Sequence, residues 1–181
     1  MNKFFFTILI AISIENAIGY VSPTISFDNE YKELYVEIVG NLQDRHYKGA
    51  IINDIFSKNY FTNYLENIDP NKCFLLKKDI DEFKKWQYSL DDLMISGDIT
   101  PGYEIYNRLL SRAISQLHYN IELLESDFIF DLENPSFFVI DAKKRDWPTN
   151  WEAARRHWRD ILTDGMIRLL LNDKKPLDAR A

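Results

Sequence analysis

The chain has 181 residues, 46% of them hydrophobic and 14% aromatic, which is enough apolar material for one domain with a real core and too much for a disordered chain. Twenty-eight acids against 22 Lys and Arg give a net charge of −6, which disfavours phosphate backbones and therefore nucleic acid as a partner. Six scattered Gly and six Pro argue against a many-turned β-sandwich, and a single Cys rules out an internal disulfide.

The opening MNKFFFTILIAISIENAIGY carries Lys3, then an uncharged run from Phe4 to Ile14, then a small-residue exit at Ala17-Ile18-Gly19. As a helix that run spans roughly 16 Å, about half of a ~30 Å bilayer core. This length suits a secretory signal peptide over residues 1–19, cleaved after Gly19, rather than a stable membrane span. Residues 20–27 read as a short polar linker to a helical domain over 28–172, followed by a short tail, 173–181.

Apolar spacing of period 3.6 then takes over. Tyr31, Leu34, Tyr35, Ile38 and Leu42 share one face of a helix from about Asp28 to Tyr47, with Asp28 or Asn29 as cap and Gly49 just past its end. Ile52, Ile55, Phe56, Tyr60, Tyr64 and Ile68 form a second stripe that stops at Asp69-Pro70, because proline disfavours the α conformation in the residue before it. A third helix is expected from about Lys77 to Ile95, burying Ile80, Phe83, Trp86 or Gln87, Leu90 and Met94, with Gly97 ending it. The fourth opens with Thr100 as N-cap and Pro101 at the first helical position. Tyr106, Leu109, Leu110, Ala113, Leu117, Ile121 and Leu124 then hold one face for about six turns. The pattern breaks over about 127–147, as a short strand or an irregular wrap. Pro148 opens a fifth helix with the stripe Trp151, Ala154, Trp158, Ile161 or Leu162, Met166 and Leu169. These elements predict an all-α bundle of about five amphipathic helices with one irregular segment.

The chemistry visible in the residues is sparse. Cys73 stands among carboxylates, but a zinc site needs three or four Cys or His ligands, and His46, His118 and His157 lie far apart in the chain. No glycine-lined pocket accompanies Cys73 as a nucleophile would require. Asp79, Asp81 and Glu82 fall in the first turns of a helix, where acids complement the dipole. No catalytic, metal or cofactor-binding residue is therefore assigned, and no cofactor is expected. ARRHWRD, Ala154–Asp160, puts Arg155, Arg156, Trp158 and Arg159 on one short stretch. It reads either as a solvated face or as a partner-docking patch, since Arg and Trp are common interface anchors.

Three segments carry a family resemblance. YLENIDPNKCFLLKKDIDEF, with Tyr64, Leu65, Asp69, Pro70, Phe74, Leu75, Asp79, Ile80 and Phe83 at the matching positions, resembles a recurrent segment in the N-terminal helical region of the tail-specific proteases. These are periplasmic carboxy-terminal processing peptidases. LQDRHYKG, Leu42–Gly49, is similar to the family's Arg/Ser-His-Tyr, and RDWPTNWEAARRHWRDIL, Arg145–Leu162, to its Trp-Pro…Glu-Ala…Trp segment. The likeness runs from roughly Phe27 to Leu171 with the three segments in order.

The resemblance implies that the stretch around Cys73, from Tyr64 to Phe83, joins two helices and that Cys73 occupies a variable position. It also implies a periplasmic location, a PDZ domain that engages substrate C-termini, and a protease core using a serine nucleophile with a lysine base. None of those catalytic positions has a counterpart here, so the chain is expected to be an inactive, truncated N-terminal portion. Its expected partners are the missing PDZ and protease portion or a separate protease chain, a protein adaptor, and the peptide substrates of the full enzyme. A free-standing exported module that binds a partner is the alternative. A third reading, a small enzyme with a site built from His46, His118 or His157 and nearby acids, would need a polar cleft. The first reading predicts an exposed apolar patch larger than a monomer usually carries.

Overall fold

The computed structural model describes residues 24–26, 30–46, 49, 51–126, 139 and 141–172. The expected signal peptide, the Asp28 or Asn29 cap, most of the irregular segment and the tail lie outside these. Among the described residues there are six α-helices and no strand: α1 (Glu30–Arg45), α2 (Asp54–Ile68), α3 (Lys77–Phe83), α4 (Leu90–Ser96), α5 (Thr100–Glu125) and α6 (Trp151–Leu171). The all-α expectation holds, with one helix more than the spacing predicted.

The extra helix comes from a break in the third predicted one. After Phe83 the chain tightens into a 3-10 turn, Lys84–Trp86, and re-enters helix only at Leu90. The break frees the Gln87 carbonyl and the Leu90 N–H. Ser57 of α2, fully buried, satisfies both: its hydroxyl donates to Gln87 O at 3.1 Å and accepts from Leu90 N at 2.8 Å. A buried backbone group left unpaired would be costly, so the break depends on this hydroxyl. It lets Phe83 and Leu90 enter the same core. There they meet Phe61 and Leu65 of α2, Leu75 of the link, and Ile105 and Leu109 of α5.

The helix starts differ in detail from the spacing. Asn53 caps α2, accepting from Ile55 N and Phe56 N. Thr100 is the first helical residue of α5 rather than its cap, and the Asp98 carboxylate accepts its N–H. Asn150, not Pro148, opens α6 by accepting from Ala153 N. Pro148 instead lends its carbonyl to Lys77 N at 2.8 Å, tying the approach to α6 onto the start of α3. The described end of the irregular segment holds a 3-10 turn at Ala142–Lys144.

The buried faces are rotated from the expected stripes in three helices. On α1 only Val39 is fully buried, at 2% exposure, and Tyr35 is half-buried. Tyr31, Leu34, Ile38 and Leu42 face outward, Leu34 at 54% exposure. On α2 the core takes Ser57, Phe61 and Leu65, one position round from Phe56, Tyr60 and Tyr64. Those three aromatics stack as a ladder instead, with centroids 6.0 and 6.4 Å apart. On α5 Leu117 and Ile121 are exposed, while Gln116 and Asn120 are buried and joined at 2.8 Å. Gly97, at φ +75°, lets α1 approach so closely that a Cβ there would lie 2.7 Å from Val36 Cγ2.

Candidate functional site

The link between α2 and α3 is organised by one carboxylate. Asp69 is buried, and its two oxygens accept from Cys73 N at 2.9 Å, Phe74 N at 3.0 Å and Leu75 N at 2.9 Å. Proline at 70 stops α2, but the Asp69 side chain sets the path that follows. Lys72 is held at φ +48° inside that turn and gives its ammonium to Arg145 O at 2.7 Å. Arg145 also donates to Asn71 O. From α6, the Trp158 indole N–H donates to Cys73 O at 2.9 Å, and its ring sits 5.3 Å from Phe74.

Cys73 is free and buried within this link. Burial, with the Asp69 carboxylate adding to it and Arg145 opposing, pushes its thiol up to about 11. A thiol held protonated has little nucleophilic or metal-binding character. Among the described residues no three His, Cys, Asp or Glu side chains form a group that could hold a metal. His118 lies on α5 with Nδ1 2.9 Å from Ile114 O, and His157 is half-buried on α6.

The acids after Cys73 behave differently from one another. Asp79 is fully buried and gathers Arg108 at 2.6 Å and Arg112 through two nitrogens at 2.8 and 3.0 Å. It also accepts from Leu76 N at 3.0 Å. Burial alone would raise its pKa, yet the bonds from Arg112, Leu76 and Arg108 together hold it below the usual carboxylate value. Arg112 stacks over Trp151 of α6 at 4.9 Å, so one buried carboxylate joins α3, α5 and α6. Asp81 and Glu82 are exposed and pair with Lys84 and Arg108.

The proposed docking residues separate in space. Arg155, Arg156 and Arg159 are exposed on α6 and line a shallow recess of about 530 Å³ against Tyr119 of α5. The Arg155 guanidinium lies 4.4 Å over the Tyr119 ring, and Arg156 pairs with Glu152 at 3.2 Å. Trp158 points the other way, into the link, and belongs to the packing described above.

A second concavity was not legible in the spacing. Five tyrosines, Tyr35, Tyr60, Tyr64, Tyr103 and Tyr106, surround a cleft of about 290 Å³ between α1, α2 and the start of α5, and Leu90 and Met94 lie beneath them. Tyr64 donates its hydroxyl to Gly102 O at 2.9 Å. Burial, and to a lesser degree Tyr60, pushes the phenols of Tyr35 and Tyr64 up to about 12, so both stay neutral. The clue in sequence was the Phe56, Tyr60, Tyr64 repeat, which looked like core.

None of these sites pairs a nucleophile with a base. What is specific is the Asp69 link, its Trp158 latch and the Asp79 cluster; Asp69, Asp79 and Trp158 lie within the segments that carried the resemblance, and Arg108 and Arg112 do not. The sequence matches the family model of the tail-specific protease N-terminal domain over residues 38–181. The chain belongs to that family. It is similar to the tail-specific protease of Haemophilus influenzae, 30% identical over 141 residues. That alignment covers 77% of this chain and 20% of the relative, so the chain spans about a fifth of the length of the curated relative it matches. In this tail-specific protease N-terminal domain, Asp69 orders the link between α2 and α3, and Asp79 and Trp158 hold helices together. No described helix is long and apolar enough to cross a membrane.

Proposed function

We propose that this domain serves as the non-catalytic helical scaffold of a periplasmic, serine-type tail-specific peptidase. It packs against the protease's remaining portion and helps frame the path by which substrates reach it. The observation that carries this reading is the outward face of α1. Tyr31, Leu34, Ile38 and Leu42 form an apolar stripe that stays 39% to 54% exposed, in a domain that matches only a fifth of a longer relative. The ionisable groups of the link support it, because they are engaged in holding the fold. An adaptor protein would dock on Arg155, Arg156 and Arg159, the basic shelf of a chain whose net charge is −6.

The test combines this chain with the remainder of the Haemophilus influenzae protease, prepared without the matching segment. Binding is followed by sedimentation, and cleavage with a peptide bearing an apolar C-terminus. The chain alone should not hydrolyse the peptide, and it should bind the remainder. The double variant Leu34→Glu, Ile38→Glu should bind more weakly. Hydrolysis by the purified chain, or no association at micromolar concentrations, would remove this reading. Swapping Arg155 and Arg159 for Glu should leave that association intact and reduce only adaptor binding.

A further inference from the structure

The tyrosine cleft has an occupant at its mouth. Residues 24–26 run without regular secondary structure across α5, and both main-chain groups of Ile25 meet one side chain. Ile25 N–H donates to Asn107 Oδ1 at 2.9 Å, and Asn107 Nδ2 donates to Ile25 O at 2.8 Å. A carboxamide used in this way does what a neighbouring strand does in a sheet. It pairs the donor and acceptor of one extended residue without reference to its side chain. The Ile25 side chain lines the cleft but is 45% exposed, so it sits at the rim and leaves the space beneath unfilled.

We propose that the cleft and Asn107 form a binding site for an extended, apolar stretch of polypeptide supplied in trans, for which Thr24–Ser26 is the displaceable occupant in cis. The chemistry favours this ligand on three counts. Asn107 reads main chain, which every peptide offers and a lipid or sugar does not. The walls are tyrosines, which give broad apolar contact with few torsions to freeze and hydroxyls that tolerate water. The floor of Leu90 and Met94 accepts an aliphatic or aromatic side chain of varied shape, Met being adaptable. The site stands on this geometry and does not require the protease assignment.

The probe is a fluorescein-labelled synthetic peptide, Ser-Pro-Thr-Ile-Ser-Phe, titrated with the full chain and read by anisotropy. Ile25→Asp weakens the cis occupant and should tighten probe binding. Asn107→Leu in that background should weaken it roughly 3- to 10-fold, the value of one or two main-chain hydrogen bonds. A probe N-methylated at its Ile lacks the N–H donor and should lose affinity to a similar degree on the Ile25→Asp protein. It should lose nothing further on the Asn107→Leu double variant. Far-ultraviolet circular dichroism checks that each variant is folded. No binding to folded Ile25→Asp protein would overturn the proposal. Equal binding of the methylated and unmethylated probes would also overturn it, since the contact would then be apolar adhesion. Dimerisation of the wild-type chain that Ile25→Asp abolishes would reassign the cleft to a second copy.

Discussion

Asp69 shows how one residue can carry a motif. Its carboxylate serves three successive N–H groups, so Asp69→Ala leaves two buried donors and one half-buried donor without their acceptor. The expected loss is on the order of 3 kcal/mol, measured by urea unfolding. Asp79 makes a pH prediction. Its pKa is depressed in the fold, so its contribution is complete above the unfolded carboxylate value near ~4 and disappears as pH falls through the lower folded value. Stability should drop steeply below about pH 4, and Asp79→Asn should flatten that acid limb while costing on the order of 3 kcal/mol at neutral pH. An unchanged acid limb in the variant would refute the assignment. At this scale the sequence was partly legible. Asp69-Pro70 announced the end of a helix. Nothing in the pattern showed that the Asp side chain, more than the Pro ring, shapes the link, because three N–H groups converge on it only after the chain has turned.

At the scale of elements, existence was legible and orientation was not. Helical spacing found the helical segments, though it ran α3 and α4 together, and α2 and α5 are apolar on more than one side, so periodicity left the inward face open. Tyr60 and Tyr64 look like core in sequence and turn out to wall the cleft, while Phe61 and Leu65 take the interior. The break after Phe83 was invisible for another reason: the group that stabilises it, Ser57, lies 30 residues away from Gln87. Ser57→Val should therefore leave the Gln87 carbonyl and Leu90 N–H unpaired and destabilise the fold by about 2–3 kcal/mol, read from thermal unfolding. A near-neutral result would mean that the break is set by side-chain packing. Gly97 is the other dependent position. Gly97→Ala places a Cβ against Val36 at a left-handed φ, and should cost roughly 1–2 kcal/mol from the backbone alone. A larger loss would register the displacement of α1.

For the whole molecule, the expected bundle is present, and α1 turns an apolar stripe outward. The α1 stripe was assigned to the core by the same periodicity that correctly marked it as apolar. Sequence patterning shows which residues avoid water and does not show which body covers them. Polar substitution of Leu34 and Ile38 should thus change the stability of the isolated chain by no more than about 0.5 kcal/mol, as at exposed positions generally. A large destabilisation would show that α1 packs inward in solution. Export is tested by intact mass: a species beginning at Tyr20 in the periplasm confirms cleavage after Gly19, and retention of Met1 refutes it.

The lone thiol has one more consequence. Cys73 is the chain's single cysteine, is shielded from solvent, and is fastened by its N–H to Asp69 and by its carbonyl to Trp158. A thiol reagent can reach it only during moments when the link comes apart, so the pace of labelling becomes a clock for that opening, readable by mass in a native sample without any engineered probe.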